Sequence, residues 1–212
     1  NTSVFVKVAT DETTAGWLRA GIRAYERMKG AFLPEVLGFD NEGPTPLLVL
    51  EDLSGFPWPP PWDSKRVEKV LQSMDEAHAQ KPDLPPMTEV FGTGMENWDA
   101  VAQDPEPFHH LGLATKNWLK ESLPQLLAAQ HALDLSGESL LHMDIRSDNM
   151  CFKEDRAILI DWNNASLGNP GVDLGFWLPS LELEGGPKPD EILPNAPEVA
   201  AFVSGFFASR AG

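Results

Sequence analysis

Two stretches of this 212-residue chain decide its fold: Leu140-Leu141-His142-Met143-Asp144-Ile145-Arg146-Ser147-Asp148-Asn149 and Ile158-Leu159-Ile160-Asp161-Trp162. The first has the form His-x-Asp-x-x-x-x-Asn, and the second places a further aspartate after a short apolar run. Carboxylate and amide oxygens are ligands that suit Mg²⁺, and an aspartate beside them can accept a proton. The two stretches together predict a site at which Asp144, Asn149 and Asp161 could serve as a proton acceptor and as metal ligands.

The residues between the two stretches have the pattern of a β-hairpin. Cys151-Phe152 is apolar, the next four residues to Arg156 are polar, and Ala157 to Ile160 is aliphatic and β-branched. This pattern predicts a strand, a turn of about four residues and a second strand that ends at Asp161. Because the two arms of a hairpin lie side by side, Asn149 and Asp161 would come together although twelve positions separate them.

A simpler interpretation of the first stretch remains open. Aspartate and asparagine favour turns, so Asp144, Asp148 and Asn149 could do no more than cap one. The motif His-x-Asp-x-x-x-x-Asn is weak evidence by itself, since it arises by chance in many chains. Its position ahead of a hairpin that ends on a further aspartate favours the catalytic interpretation.

Between His142 and Trp177 the chain resembles the aminoglycoside phosphotransferase family, which consists of small-molecule kinases that share the protein-kinase fold. The family signature has the form His-Gly-Asp-x-x-x-x-Asn, then Ile-Asp-Trp or Ile-Asp-Phe, then Gly-Asn/Asp-Pro-x-x-Asp-Leu. The order of these elements is kept, and Met143 in place of glycine is a departure. The matching residues are His142-Met143-Asp144, Asn149, Ile160-Asp161-Trp162 and Gly168-Asn169-Pro170-Gly171-Val172-Asp173-Leu174.

The resemblance implies an α+β, protein-kinase-like fold with two lobes. Residues 1–53 would form a small N-terminal nucleotide-binding sheet lobe, which is incomplete because its first strands and its glycine-rich loop are missing. Residues 54–212 would form a larger, mainly helical C-terminal lobe that carries out catalysis and binds the acceptor.

The resemblance also implies ATP and Mg²⁺ as cofactors and gives roles to the motif residues. Asp144 would accept the proton of an attacking hydroxyl group, while Asn149 and Asp161 would hold Mg²⁺ against the nucleotide phosphates. His142 and Asp173 would support the catalytic loop, Asp173 by hydrogen bonding to it from below.

Two segments of the N-terminal lobe are candidates for nucleotide binding. Lys7 lies in the run Val4 to Ala9, whose residue pattern predicts a strand. In the family, a lysine on such a strand contacts the nucleotide phosphates. The common alternative is a surface lysine on an edge strand. Glu51, Asp52 and Leu53 follow an apolar strand and resemble the hinge between kinase lobes, whose main-chain groups bind the adenine edge. An ordinary strand-to-loop transition would give the same pattern.

The first predicted helix bears on the partner of Lys7. Asp11 or Thr13 can cap this helix, in which the family places a glutamate that pairs with the strand lysine. The helix register puts that position at Gly21, and Glu26 is five positions on, about 140° around the helix, so it faces elsewhere. Lys7 is therefore expected to lack its usual carboxylate partner, and Gly21→Glu is expected to supply one and to stabilise the lobe.

The negative charge of the chain argues against some classes of partner and favours one kind of acceptor. The formal net charge is −16, from 32 acidic and 16 basic residues, and such a surface repels nucleic acid and anionic membranes. It would attract a cationic acceptor, and aminoglycosides are polycations. A solvated acidic surface that aids solubility explains the charge at least as well. The oligomeric state does not follow from the sequence.

Cysteine usage and hydropathy indicate the cytoplasm. The single cysteine, Cys151, excludes an intramolecular disulfide, which is typical of a reducing compartment. No apolar run approaches the ~20 residues of a membrane-spanning helix, and no signal-peptide pattern opens the chain. The chain starts with Asn1, within a predicted strand, so an N-terminal piece is expected to precede it.

Three further segments carry predictions about structure. Leu47 to Leu50 is apolar throughout, which predicts a strand buried on both faces. Lys81 to Pro107 is rich in proline and glycine and is expected to be a loop. Phe108 to Leu135 predicts one or two helices interrupted at Pro124, since proline suits the start of a helix better than its interior.

Three functions are compatible with the sequence. The leading one is an ATP-dependent phosphotransferase that acts on a hydroxyl of a small molecule, whether an aminoglycoside, an amino alcohol, a sugar or a macrolide. The second is a weakly active or inactive kinase-like module that binds nucleotide. The third is a hydrolytic metal site formed by His142, Asp144, Asp148 and Asp161, which a single histidine makes poor.

Overall fold

The structure, a computed structural model, describes residues 3–210, so the expectation about what precedes Asn1 lies outside it. Among the described residues, no helix combines the length and the apolar composition of a membrane crossing. The strands are β1 (Val4–Val8), β2 (Val36–Asp40), β3 (Leu47–Glu51), β4 (Ser139–Leu141), β5 (Met150–Lys153), β6 (Arg156–Leu159) and β7 (Ser166–Gly168). The helices are α1 (Glu12–Arg27), α2 (Ser64–His78), α3 (Met87–Phe91), α4 (Trp98–Gln103), α5 (Glu106–His110), α6 (Lys116–Ala132), α7 (Pro170–Leu183), α8 (Pro189–Ile192) and α9 (Pro197–Ala208).

The N-terminal sheet is antiparallel and places β3 between β1 and β2. In the β1–β3 ladder Lys7 lies opposite Leu48, which fixes the strand position of the lysine. Helix α1 begins at Asp11, whose side chain accepts a hydrogen bond from the main-chain N–H of Thr14, so the predicted cap is confirmed. The strand and the helix that carry the candidate Lys7 and Gly21 are therefore the predicted ones.

Helix α1 covers one face of this sheet. Leu18 and Ile22 of the helix pack with Leu48 and Leu50 of β3, and all four are buried. The prediction that this strand is buried on both faces is wrong, because the alternate residues Leu47 and Val49 lie on the face that α1 does not cover and stay partly exposed.

The larger, mainly helical part carries two short antiparallel strand pairs, β4–β7 and β5–β6. The β5–β6 pair confirms that a hairpin forms, with Met150 opposite Leu159. Its turn has two residues rather than about four, because Lys153 and Arg156 pair, and β6 ends at Leu159, two residues before Asp161. Helix α2 packs against β4 and β6, and α7 packs against β4. The fold is thus the predicted α+β class, with a small sheet lobe and a larger helical lobe. The large, fully buried side chains of the central core include Phe32, Met74, Leu140, Ile145, Met150, Leu159, Trp162 and Trp177.

Two predictions outside the site are wrong. Residues 81–107 contain helices α3 and α4, anchored by the buried side chains of Met87 and Trp98. Helix α6 runs through Pro124 without interruption. A proline in a helix interior destabilises the helix by about 3 kcal/mol. Leucines on both sides of Pro124, including Leu119 and Leu126, pack in a cluster with Trp98. The burial of these leucines keeps the helix continuous.

Candidate active site

The loop between β4 and β5 is held from below by the buried carboxylate of Asp173. One oxygen accepts the main-chain N–H of His142 at 2.9 Å and the other accepts that of Met143 at 2.7 Å. His78 Nε2 lies 3.0 Å from the first oxygen. Burial alone would raise the pKa of Asp173, but the hydrogen bond and charge of His78 and the bond from His142 outweigh it and lower the pKa below 3.8. The carboxylate is thus kept ionised beneath the loop.

Met143 shows why glycine suits this position of the loop. Its φ is +64°, in the left-handed region that residues with a side chain seldom adopt. The side chain is buried with Met87 and Val172 in a cluster beside the loop. The hydrogen bond to Asp173 and this packing hold a conformation that is strained for methionine.

His142 links the loop to the strand that leads to Asp161. Its Nε2 donates to the carbonyl oxygen of Ile160 at 2.7 Å, and its Nδ1 accepts the main-chain N–H of Asp144 at 3.2 Å. Burial lowers the pKa of His142 below 6.5, which agrees with a neutral ring that carries its proton on Nε2. Because both ring nitrogens are engaged, His142 has no free nitrogen for a metal ion.

The hydrolytic metal site is therefore not supported. It requires His142 together with carboxylates, and within residues 3–210 no group of three or more His, Cys, Asp and Glu residues could hold a metal ion.

Asn149 is bound directly to Asp144. Its Nδ2 donates to the Asp144 carbonyl oxygen at 2.9 Å and to Asp144 Oδ2 at 3.0 Å. Both of these oxygens only accept hydrogen bonds, so the orientation of the amide is fixed and Asn149 Oδ1 is left as an acceptor. The Asp144 side chain is 37% exposed, which leaves it open to a molecule entering from solvent.

Lys7 reaches the second motif. Its Nζ lies 2.6 Å from Asp161 Oδ1, and both side chains are about one-third exposed (33% and 30%). Asn163, two residues further on, donates its Nδ2 to the same oxygen. Asp161 has a φ of +67°, in the left-handed region, so the chain turns sharply where the β6 segment ends.

Lys7 is paired with Asp161 and not with a carboxylate of α1, so the expectation that Lys7 is left for Gly21→Glu to pair with is wrong. Gly21 is buried and does not face solvent, but a Cβ there would lie 2.8 Å from Asn163 Oδ1. Gly21→Glu would therefore collide with Asn163 and would not simply stabilise the lobe. The sequence could not reveal this contact, since it depends on how the turn after Asp161 packs against α1.

One cavity of about 200 Å³ joins these groups. Lys7, Asn149 and Asp161 all line it, as do Asp148 and Tyr25. The Tyr25 hydroxyl is buried without a hydrogen-bond partner among the described residues. Asp144 adjoins the cavity through its bond to Asn149. The structure therefore brings the predicted base, the two predicted metal ligands and the predicted phosphate-binding lysine to one cleft.

The three residues predicted to form the hinge are not among those that line this cavity. Glu51 Oε2 is 2.5 Å from Lys153 Nζ, and the Leu53 carbonyl oxygen accepts the Phe56 N–H at 3.1 Å. Asp52 accepts the main-chain N–H of the residue two positions on, at 2.9 Å. None of the three lines the cavity around Asp161, and the Leu53 carbonyl group is already used within the protein.

Comparison with known proteins gives one family. Residues 2–205 match the phosphotransferase enzyme family, APH, whereas no curated protein matches the chain. One similar solved structure is an apo thermostable mutant of aminoglycoside phosphotransferase APH(4)-Ia, with 18% sequence identity and a TM-score of 0.58 over 98% of this chain and 78% of the other. Another is aminoglycoside-3'-phosphotransferase of type VIII, with 18% identity and a TM-score of 0.60 over 99% of this chain and 86% of the other. Choline kinase LicA from Streptococcus pneumoniae is also similar, with 19% identity and a TM-score of 0.54 over 97% of this chain and 68% of the other. At these identities the structures share the fold, while the family match spans nearly the whole sequence. The chain belongs to the phosphotransferase enzyme family.

Proposed function

We propose that the protein transfers the γ-phosphoryl group of ATP to a hydroxyl group of a small molecule. The observation that carries this proposal is the shared cavity: Lys7, Asn149 and Asp161 line it, and Asp144 is bound to Asn149 at its edge. These are the groups that phosphoryl transfer needs, because its catalysis consists mainly of positioning and charge neutralisation.

Asn149 and Asp161 fit Mg²⁺. With Asn149 Nδ2 engaged by Asp144, its Oδ1 is the atom available to a cation. Mg²⁺ is commonly held by one or two protein oxygens together with substrate phosphates and water, so the absence of a larger acidic cluster among the described residues is compatible with it. When bound, Mg²⁺ neutralises the charge of the nucleotide phosphates.

The chain's own groups divide the remaining tasks. Lys7 binds the phosphates once they draw its ammonium group away from Asp161. Asp144 orients the acceptor hydroxyl and accepts its proton as the hydroxyl oxygen bonds to the γ-phosphorus and the bond from that phosphorus to the ADP oxygen breaks, so that ADP leaves. Asp173 and the neutral His142 fix the loop that presents Asp144.

The acceptor we propose is a cationic alcohol. A net charge of −16 favours the approach of an amine-bearing molecule. An APH(4)-Ia mutant forms a ternary complex with AMP-PNP and hygromycin B, and another structural neighbour is a choline kinase. Aminoglycosides and amino alcohols are therefore the first acceptors to examine, and activity on an aminoglycoside would give the cell antibiotic resistance. The buried free thiol of Cys151 supports a reducing, cytoplasmic setting.

Calorimetry on two variants tests the division of roles. Asp144→Ala should abolish turnover and leave MgATP affinity largely intact, because Asp144 meets the acceptor. Asp161→Ala should weaken MgATP binding, because it removes a metal ligand. An equal loss of nucleotide binding in both variants would contradict these roles.

A weakly active or inactive nucleotide-binding module is the second candidate. Two observations favour it: Lys7 is paired with the proposed metal ligand Asp161, and α1 has Gly21 rather than a carboxylate near that site. Tight MgATP binding without transfer to any acceptor, with phosphate release no faster than that of Asp144→Ala, would support this candidate.

A further inference from the structure

The turn after Asp161 lies against a glycine in the middle of α1. Gly21 is buried, and a Cβ at this position would come within 2.8 Å of Asn163 Oδ1, closer than real Cβ contacts. Glycine inside a helix is less favourable than alanine, because it loses more backbone freedom on folding. The close approach of the Asn163 amide therefore depends on a residue that weakens the helix.

The same amide contacts the proposed metal ligand. Asn163 Nδ2 donates to Asp161 Oδ1, which also receives Lys7 Nζ at 2.6 Å. A carboxylate oxygen only accepts hydrogen bonds, so the Asn163 amide must turn its nitrogen to Asp161 and its oxygen to Gly21. Asn163 thus connects helix α1 to the Asp161 carboxylate.

Asp161 needs such support. Its φ of +67° is rarely adopted by a residue with a side chain, so surrounding contacts have to hold it. With Lys7 and Asn163 both on Oδ1, no donor within residues 3–210 is bonded to Oδ2. That oxygen is the one left for a cation.

We propose that Asn163 is a positioning residue of the nucleotide site, whose amide holds the Asp161 carboxylate in the orientation that receives Mg²⁺, and that Gly21 provides the space for this amide against α1. The inference rests on the proposed function, since it takes Asp161 to bind Mg²⁺. Groups that orient a metal ligand typically change metal affinity by 10- to 100-fold when they are removed.

The first test is Asn163→Ala in the full chain, with ATP binding measured by calorimetry in MgCl₂ and again in EDTA. The affinity for MgATP should fall about 10-fold or more, and the affinity for metal-free ATP should not change. Asn164→Ala is the matched control, because Asn164 belongs to the same turn and makes no hydrogen bond to Asp161. It should bind both forms of ATP as the wild type does.

A pair of glycine variants provides a second test. Gly21→Ala should displace the Asn163 amide and weaken MgATP binding in the same direction as Asn163→Ala, again without affecting metal-free ATP. Gly16→Ala is the control, because Gly16 lies in the same helix and a Cβ there meets nothing within 4 Å. It should leave nucleotide binding unchanged and raise stability. Adding Gly21→Ala to Asn163→Ala should weaken MgATP binding little further, since both changes remove the same contact.

The outcomes separate this inference from the proposed function. Wild-type MgATP affinity in Asn163→Ala, with loss of it in Asp161→Ala, would overturn the inference and leave the proposed function standing. An equal loss of ATP binding with and without Mg²⁺ would also overturn it, because that indicates a merely structural role. Wild-type MgATP affinity in Asp161→Ala would contradict the proposed function itself, because Asp161 would then not hold the metal ion. If Asn163→Ala does not fold, the two glycine variants decide.

Discussion

At the scale of single residues, the loop that carries Asp144 is held by buried groups. Asp173 accepts two main-chain N–H groups of the loop, and His142 spans from Asp144 to Ile160. The positive φ of Met143 shows that the loop is tightly curved. Such supporting contacts keep the Asp144 carboxylate within a narrow range of positions, as catalysis by positioning would require of the proposed base.

The buried neutral His142 makes stability depend on pH. Because burial lowers its pKa in the folded protein, the unfolded chain binds more protons as the pH falls below 6.5, and stability decreases with falling pH in that range. The contribution is complete above pH 6.5. We expect urea unfolding to show a larger loss of stability between pH 7.5 and 5.5 for the wild type than for His142→Gln. Equal losses would show that His142 titrates freely in the folded protein.

Some site residues could be predicted from sequence and others could not. Asp144, Asn149 and Asp161 stand in a fixed order within short segments, so the motif identifies them. His78 and Asn163 have no such pattern: His78 meets Asp173 through the packing of distant helices, and Asn163 acquires its place from Gly21. Their roles depend on tertiary contacts between separate elements.

At the scale of secondary structure, the sequence pattern predicts those elements whose contacts join residues near each other in the chain. The capped helix α1 and the hairpin β5–β6 follow from residues next to each other in the chain. The β4–β7 pair joins strands on either side of the hairpin, and helices α3 and α4 are short and stabilised by Met87 and Trp98. Non-local pairing and burial decide these elements, and neither is visible in a local pattern.

Pro124 gives a prediction for α6. It lies in the helix interior and is exposed, so Pro124→Ala should restore one main-chain hydrogen bond and remove a steric clash. The greater freedom of alanine in the unfolded chain offsets part of the gain, and we expect unfolding to require about 1–2 kcal/mol more. Urea denaturation measures this, with Gln125→Ala as the exposed control. An unchanged or lower stability would mean that the helix is shaped around the proline.

At the scale of the whole molecule, two ion pairs connect the N-terminal sheet to the segments around the hairpin. Lys7 of β1 binds Asp161, and Glu51 of β3 binds Lys153 of β5. A nucleotide that draws Lys7 to its phosphates would break the first pair and leave the second. The Glu51–Lys153 pair would then still join the sheet to the hairpin, while Asn163 keeps its hydrogen bond to Asp161.

The most direct test of the account is transfer of a labelled γ-phosphoryl group from ATP to a panel of acceptors, with the products identified by mass spectrometry. The panel contains aminoglycosides, choline-like amino alcohols, sugars and macrolides, and each reaction is run with the wild type and with Asp144→Ala, with and without Mg²⁺. We expect a phosphorylated alcohol, most readily a cationic one, that forms only with the wild type and Mg²⁺. Equal product formation by Asp144→Ala, or MgATP binding without transfer to any acceptor, would contradict it.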